Sequence, residues 1–361
     1  MHTDWSTDRP TTWPADSRPV RLALIGAGVF ARDAHLPSLL RRPDRFEIAA
    51  VYSRSAESAQ ALARAIPYPV AQFTDLDALL ARPDIEAVDI VLPIPVMPTV
   101  IAQALAAGKH VLSEKPIAPT VAAGRALLAQ SAHRSQPQSL LPVWMVGENW
   151  RYEEAFRRAA QLVHERTIGA PVTCSWAIHS PMTPSSKYYH TAWRRDSSIP
   201  GGLLLDGGVH HAAILRLILG EIVEVRAVAR QVSPDLHPLD TLSASLRFAS
   251  GALGNYLVTY ATAAPWPAAL HIAGSSGALR VLRDRIELIR NGATETIACT
   301  GFDGVEKELL AFAEAIRTGA PHLNPPEEAL ADLAVIEAML IAASTGEAVN
   351  PTELGAVRPS R

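Results

Sequence analysis

Gly26-Ala27-Gly28-Val29-Phe30-Ala31 follows the apolar run VRLALI without a break and opens a helix-forming segment. In a G-x-G-x-x-G/A turn at the end of a first strand, the first glycine makes the tight bend and the second lets backbone approach a pyrophosphate. The alanine permits close helix–strand packing, and the helix N-terminus favours the anion. Gly26, Gly28, Val29 and Phe30 are therefore the residues expected against a dinucleotide. Glycines also mark turns for structural reasons alone, so the meaning of the motif rests on what surrounds it.

From Val20 to Gly147 short apolar runs (VRLALIG, FEIAAVYS, AVDIVLP, HVLSEKP, LPVWMVG) alternate with helical segments such as TVIAQALAAG and TVAAGRALLAQ. Continuous apolar runs between helices indicate a parallel sheet buried on both faces, the doubly wound Rossmann pattern. After Gly147 the pattern changes. A helix, RYEEAFRRAAQLVHER, precedes the strand PVTCSWAIHS, a polar and aromatic loop from Pro181 to Pro200, and a helix near Gly208–Leu219. Strand-like segments joined by Ser250-Gly251 and Ser276-Gly277 follow, as in an antiparallel sheet. Helices near Val305–Thr318 and Pro326–Ser344 close the chain. The expected organisation is a disordered polar leader (1–18), a Rossmann domain (19–147) and an α+β domain (148–361) with a large open, mostly antiparallel sheet.

The second run ends Tyr52-Ser53-Arg54. An acidic residue at this point holds the ribose 2′-hydroxyl in NAD-selective folds, whereas a hydroxyl and a guanidinium suit a 2′-phosphate. Ser53 and Arg54 thus favour NADP(H), with NAD(H) still admissible; the plain alternative is a strand-end arginine facing solvent. Glu114-Lys115-Pro116 ends a later run at the carboxyl edge of the sheet, where open parallel sheets bind ligands. Taken alone, a loop lysine is a solvated charge. In Gly201-Gly202-Leu203-Leu204-Leu205-Asp206-Gly207-Gly208-Val209-His210-His211, Asp206 and His210 stand four apart, one helical turn. A carboxylate beside an imidazole suits acid–base chemistry near neutral pH. The bland reading makes Asp206 a helix cap and His210 a semi-buried structural histidine.

Composition removes other classes. The chain has 361 residues, 48% hydrophobic and 19% charged, with a formal net charge of −3. That balance gives no reason to expect nucleic acid or an anionic membrane as partner. Two cysteines, Cys174 and Cys299, make neither a disulfide framework nor a metal-like spacing, so no metal is expected and a reducing cytoplasm fits. No apolar stretch reaches the roughly 20 residues that span a bilayer.

The order Gly-x-Gly-x-x-Ala, Glu-Lys-Pro, then Asp-x-Gly-x-His about 90 residues later and an antiparallel sheet resembles the Gfo/Idh/MocA family (glucose–fructose oxidoreductase, inositol dehydrogenase, MocA-like). The likeness runs from Val20 to about Ser344. Lys187-Tyr188-Tyr189-His190-Thr191-Ala192-Trp193-Arg194, followed by the Gly-Gly-x-Leu-Leu-Asp-Gly-Gly-Val-His segment, is similar to an NADP-linked fungal and bacterial subgroup. The resemblance implies an NADP(H)-dependent oxidoreductase acting on a hydroxyl or carbonyl carbon of a sugar, polyol, cyclitol or small carbonyl compound. It implies that Lys115 lies near the nicotinamide and the reacting carbon, that Asp206 and His210 lie on the substrate, and that His210 carries the proton. Pro93 and Glu114 join the cofactor contacts, and Asn149, Arg151, Trp193 and Arg194 the candidate substrate contacts. Where many members carry Thr-Pro-Asn-x-x-His, this chain has Leu92-Pro93-Ile94-Pro95-Val96-Met97-Pro98; Ala212-Ala213 stands where many have an aspartate or asparagine. A non-catalytic NADP sensor and an NAD-dependent glycoside hydrolase share the fold and remain as alternatives. An open sheet with one uncovered face further implies a homodimer or homotetramer. His35 and Pro37 read as shaping the first helix, and His271 as structural.

Overall fold

The computed structural model describes residues 18–132, 142–196, 199–263 and 267–355. All but the last residue of the expected leader, and two positions of the Pro181–Pro200 loop, lie outside them. The chain divides into two units. The first takes the chain up to Ala118, Ala123–Asn149 and Val305–Glu327; the second takes Pro119–Ala122, Trp150–Gly304 and the chain from Glu328 onward.

The first unit is built on six strands: β1 (Val20–Ile25), β2 (Phe46–Tyr52), β3 (Ala71–Phe73), β4 (Ala87–Ile90), β5 (His110–Glu114) and β6 (Trp144–Gly147). They lie in the order β3-β2-β1-β4-β5-β6, and every neighbouring pair is parallel. β4 and β6 are buried at every position, as a strand covered on both faces must be. The crossovers carry α1 (Leu36–Leu40), α2 (Ala56–Arg64), α3 (Leu76–Leu80), α4 (Met97–Ala106) and α5 (Val121–Ala132). In this strand order the sequence direction reverses between β1 and β4, and ligands bind in the crevice outside the carboxyl ends at that switch. β3 has only three residues, too few to register as an apolar run.

Helix α1 is preceded by a π turn, Ala31–His35, in which the Leu36 N–H donates to the Ala31 carbonyl. Pro37 has no N–H to continue the ordinary ladder, and the turn before it is the wider i→i+5 kind. The extra residue carries His35 inward, where it is fully buried.

The second unit holds α6 (Glu154–His164), β7 (Pro171–His179), α7 (Leu203–Leu219), β8 (Ile222–Arg230), β9 (Thr241–Phe248), β10 (Leu253–Thr259), β11 (Leu270–Gly274), β12 (Ala278–Val281), β13 (Arg285–Arg290) and β14 (Ala293–Ala298). Helix α8 (Gly304–Thr318) follows at the return to the first unit, and α9 (Pro326–Thr345) and α10 (Pro351–Gly355) end the described chain. The sheet runs β14-β13-β12-β11-β7-β10-β9-β8. Ser250-Gly251 and Ser276-Gly277 turn the β9–β10 and β11–β12 hairpins. β7 enters the middle of the sheet and pairs parallel with β10, the one parallel pairing among the described strands of this second sheet. β9 alternates strictly, with Leu242, Ala244, Leu246 and Phe248 buried and Ser243, Ser245 and Arg247 exposed. One face therefore packs on the helices and the other is open. Among the described residues no helix is long and apolar enough to cross a membrane.

Candidate active site

At the switch between β1 and β4, Gly26 has φ +113°, and a Cβ there would lie 2.2 Å from the Val91 carbonyl oxygen. Only glycine fits both conditions. Gly28 is exposed, and a Cβ on it would meet nothing within 4 Å. Open space over a bare backbone at the start of a helix is the cradle that a pyrophosphate fills. Ser53 and Arg54 leave the carboxyl end of β2, with Arg54 exposed. Helix α2 is capped by the next residue, whose Ser55 Oγ accepts the Ser58 N–H at 3.1 Å. Among the described residues no ion pair or hydrogen bond competes for the Arg54 guanidinium. Pro93 follows β4, and its carbonyl accepts the N–H groups of Val96 and Met97. Lys115 follows β5 and is half-buried, ahead of a cis bond to Pro116. These positions fit a dinucleotide along the carboxyl edge of the sheet. Glu114 turns the other way, to a buried partner: its Oε1 lies 3.1 Å from His35 Nε2.

In the second unit α7 begins at Leu203, before the Gly208 start read from sequence, so it already includes Asp206. Asp206 and His210 are therefore one turn apart on a half-buried face, while His211 on the adjoining face is buried with its Nδ1 2.7 Å from the Tyr256 hydroxyl. Asp206 Oδ2 accepts the Arg194 Nε–H at 2.8 Å. Arg194 also lies 4.1 Å from the Trp193 ring centroid and 4.8 Å from that of Tyr188. Tyr189 lies apart, donating from its hydroxyl to Asp235 at 3.1 Å.

The His210 imidazole stacks on Trp150, with centroids 4.9 Å apart and planes 7° from parallel. Trp150 is held in turn by Phe156, stacked at 5.7 Å, and by the Arg283 guanidinium 4.4 Å from its ring. Tyr260 stands against the same helix: a Cβ on Gly207 would lie 1.9 Å from its hydroxyl oxygen. Burial, reinforced by the charge of Asp206, pushes the Tyr260 phenol well up, so it stays a neutral hydroxyl.

Residues 20–138 match the oxidoreductase family with an NAD-binding Rossmann fold, and residues 156–280 match the C-terminal domain of the same family. The chain belongs to the GFO/IDH/MocA oxidoreductase family. It is 34% identical to the dehydrogenase FPY6 of Fusarium mangiferae over 89% of this chain and 95% of that one. It is 28% identical to a dTDP-3,4-didehydro-2,6-dideoxy-alpha-D-glucose 3-reductase of Streptomyces violaceoruber, over 83% of this chain and 86% of that one. A crystal structure of an oxidoreductase from Thermotoga maritima superposes with a TM-score of 0.86 at 36% identity, covering 93% of this chain and all of the other. As a GFO/IDH/MocA protein the chain is an oxidoreductase with a nicotinamide cofactor, and the expected parallel and open antiparallel sheets are both present.

Within this GFO/IDH/MocA chain some candidates have other work. Arg151 is buried and donates twice from Nη2 to Asp332, at 2.8 and 2.9 Å, beside Arg216, which also holds Asp332. A guanidinium so engaged is a structural strut. Asn149 opens the 3-10 turn Asn149–Tyr152 and is half-buried. His271 is exposed on β11. Sequence reading passed over Trp150 and Tyr260; a tryptophan next to Asn149 and Arg151 was the available signal.

Proposed function

We propose that this chain is an NADP(H)-preferring oxidoreductase that moves a hydride between nicotinamide and a hydroxyl- or carbonyl-bearing carbon of a small polyhydroxylated substrate. The observation that carries the reading is His210, half-buried, locked face to face with Trp150 and one turn from the Asp206–Arg194 pair. The bound cofactor supplies the hydride acceptor or donor. The backbone at Gly26 and Gly28, with Val29 and Phe30, holds its pyrophosphate, and Ser53 and Arg54 hold a 2′-phosphate. The Lys115 ammonium binds the reacting oxygen and stabilises its charge. His210 gives or takes the hydroxyl proton at an imidazole nitrogen, and Trp150 fixes the plane of that ring. Asp206 keeps Arg194 in place, and Trp193 and Tyr188 offer aromatic faces to a sugar ring. The sugar-nucleotide reductase among the relatives supports a sugar-like substrate.

The deciding experiment is a panel of sugars, polyols, cyclitols and their keto forms, read by absorbance of reduced cofactor. The reading fails if no member of the panel turns over with either NADP or NAD. Trp150→Ala is expected to lower kcat by about three- to tenfold, the roughly 0.5–1.5 kcal/mol of an aromatic pair. KM should change little, and Trp150→Phe should restore most of the rate. An equal loss in both variants, or an effect on KM alone, rejects the role given to the stack.

The same proposal includes self-association through the open face of the eight-stranded sheet. Light scattering at micromolar concentration is expected to give a dimer or tetramer; a monomer rejects it.

A further inference from the structure

Behind the Glu114-Lys115-Pro116 loop the first unit buries a set of acids around one imidazole. His35 Nδ1 lies 2.8 Å from Asp89 Oδ2 on β4, and His35 Nε2 lies 3.1 Å from Glu114 Oε1 at the end of β5. A neutral imidazole has a single N–H. Two ring nitrogens that each face a carboxylate oxygen therefore call for an imidazolium, donating from both.

Glu308 on α8 completes the set. It is fully buried, and one of its oxygens, one from Glu114 and a His35 nitrogen all lie within 4.8 Å of one another. Neither oxygen of Glu308 has a hydrogen-bond donor among the described residues. Glu148, just after β6, also acts on Glu308 through space. An ionised carboxylate in that setting costs several kcal/mol, and two neighbouring carboxyls do not both hold a charge. Gly147 on β6 makes room for the arrangement, since a Cβ there would meet Glu114 Oε1 at 2.9 Å.

We infer that Glu308 is a neutral acid that shares its proton with Glu114, and that this pair, together with the His35 imidazolium and Asp89, is a positioning device for Lys115. An oxygen of Glu308 and one of Glu114 lie within 4.8 Å of each other, and Glu114 is the carboxylate that reaches His35. Glu114 and Lys115 are consecutive residues, so holding the Glu114 side chain holds the backbone from which Lys115 extends. The role rests on the reading of Lys115 as the group that binds the reacting oxygen. Electrostatics point the same way. Burial alone would pull His35 down, but Asp89 and then Glu114 carry it well above the usual histidine range. Burial, then Glu114, pushes Glu308 well up.

A divalent cation on the same oxygens and ring nitrogen would need an unprotonated His35 Nε2, but that nitrogen faces Glu114 Oε1 at 3.1 Å, so the proton is favoured and the metal becomes an outcome of the test.

The test uses the full chain and the variants Glu308→Gln, Glu308→Leu and Lys115→Ala. Difference infrared spectra at neutral pH should show a protonated carboxyl band in the native protein that Glu308→Gln removes. Glu308→Gln should keep kcat within about twofold, because the amide N–H donates to Glu114 as the acid does. Glu308→Leu should lose about tenfold or more in kcat with cofactor affinity unchanged, the scale of a misplaced catalytic group. The pH dependence has a fixed sign. His35 and Glu308 both hold protons in the native state beyond their unfolded values, so their contribution is full at low pH and is lost as pH rises. As pH rises above the ordinary glutamate range, the melting temperature should fall more steeply for the native protein than for Glu308→Gln.

Absence of the carboxyl band overturns the inference. So does a Glu308→Gln variant as impaired as Glu308→Leu, or stoichiometric zinc or manganese in the native protein that Glu308→Gln releases. If Lys115→Ala loses turnover while Glu308→Leu does not, the positioning role falls and the reading of Lys115 stands. If Lys115→Ala keeps its turnover, the reading of Lys115 is what fails, and the positioning role goes with it.

Discussion

Lys115→Ala and His210→Ala are each expected to cut turnover by about 100-fold or more, the scale of one oxyanion contact or one general acid. Neither should alter NADPH affinity much, because the turn at Gly26–Gly28 and the Ser53-Arg54 strand end are separate from both side chains. The losses should differ in kind. Lys115→Ala removes a charge from the reacting oxygen, so kcat and kcat/KM fall together. His210→Ala removes the proton carrier, so the pH–rate profile should also lose the limb that the imidazole sets. Asp206→Ala has a distinct outcome, since Asp206 Oδ2 accepts from Arg194. It should lower the rate and also loosen substrate binding through the released guanidinium. Steady-state kinetics on a substrate found by the panel, with separate cofactor titrations, read all of this. Near-normal turnover in both the Lys115 and the His210 variants removes the catalytic assignment.

Arg54→Ala should weaken NADPH by about 1.5–3 kcal/mol, roughly ten- to a hundredfold, and leave NADH nearly unchanged. The substitution is a clean one. Ser55, not Arg54, caps α2, so the helix start survives the loss of the side chain. Arg54 is exposed, so no cavity is left behind. Fluorescence titration with both cofactors decides it, and an equal loss for the two rejects the 2′-phosphate contact.

How far the sequence carried the fold depends on burial. Strands β1, β4 and β6 are mostly apolar, Arg21 and Asp89 excepted, because both faces are covered, and such runs show without knowledge of their neighbours. The hairpins after Phe248 and Gly274 show for a different reason, since serine–glycine pairs bring the turn with them. The central place of β7 does not show. Nothing in PVTCSWAIHS says that it will pair parallel with a strand some eighty residues on, because side-chain alternation is the same for either direction.

The site divides along the same line. Gly26 is readable because a backbone demand excludes other residues, and Gly28 because it stands two residues on in the same motif. Asp206 and His210 are readable because four-residue spacing and helix geometry are one fact. Trp150 is not readable as the partner of His210, since its stack depends on two segments brought together by folding. Arg151, one residue on, looked the better binder, yet its guanidinium belongs to Asp332. Glu308 looks like any acid on an amphipathic helix until α8 is seen to bury it beside His35 and Glu114.

The assignment of α8 to the first unit bears on how the protein is made. All six parallel strands have been synthesised once Gly147 is reached, but Leu309, Phe312 and Ala313, buried residues of this unit, come only after the whole eight-stranded sheet has been translated. The nascent dinucleotide unit thus waits with an unfilled apolar seam and an unanswered His35–Glu114 pair while the second unit emerges. A fragment cut after Asn149 would keep all six parallel strands and the Gly26–Gly28 turn and still lack the helix that seals it. Dissecting the chain into working halves therefore has to graft 305–327 onto the first of them.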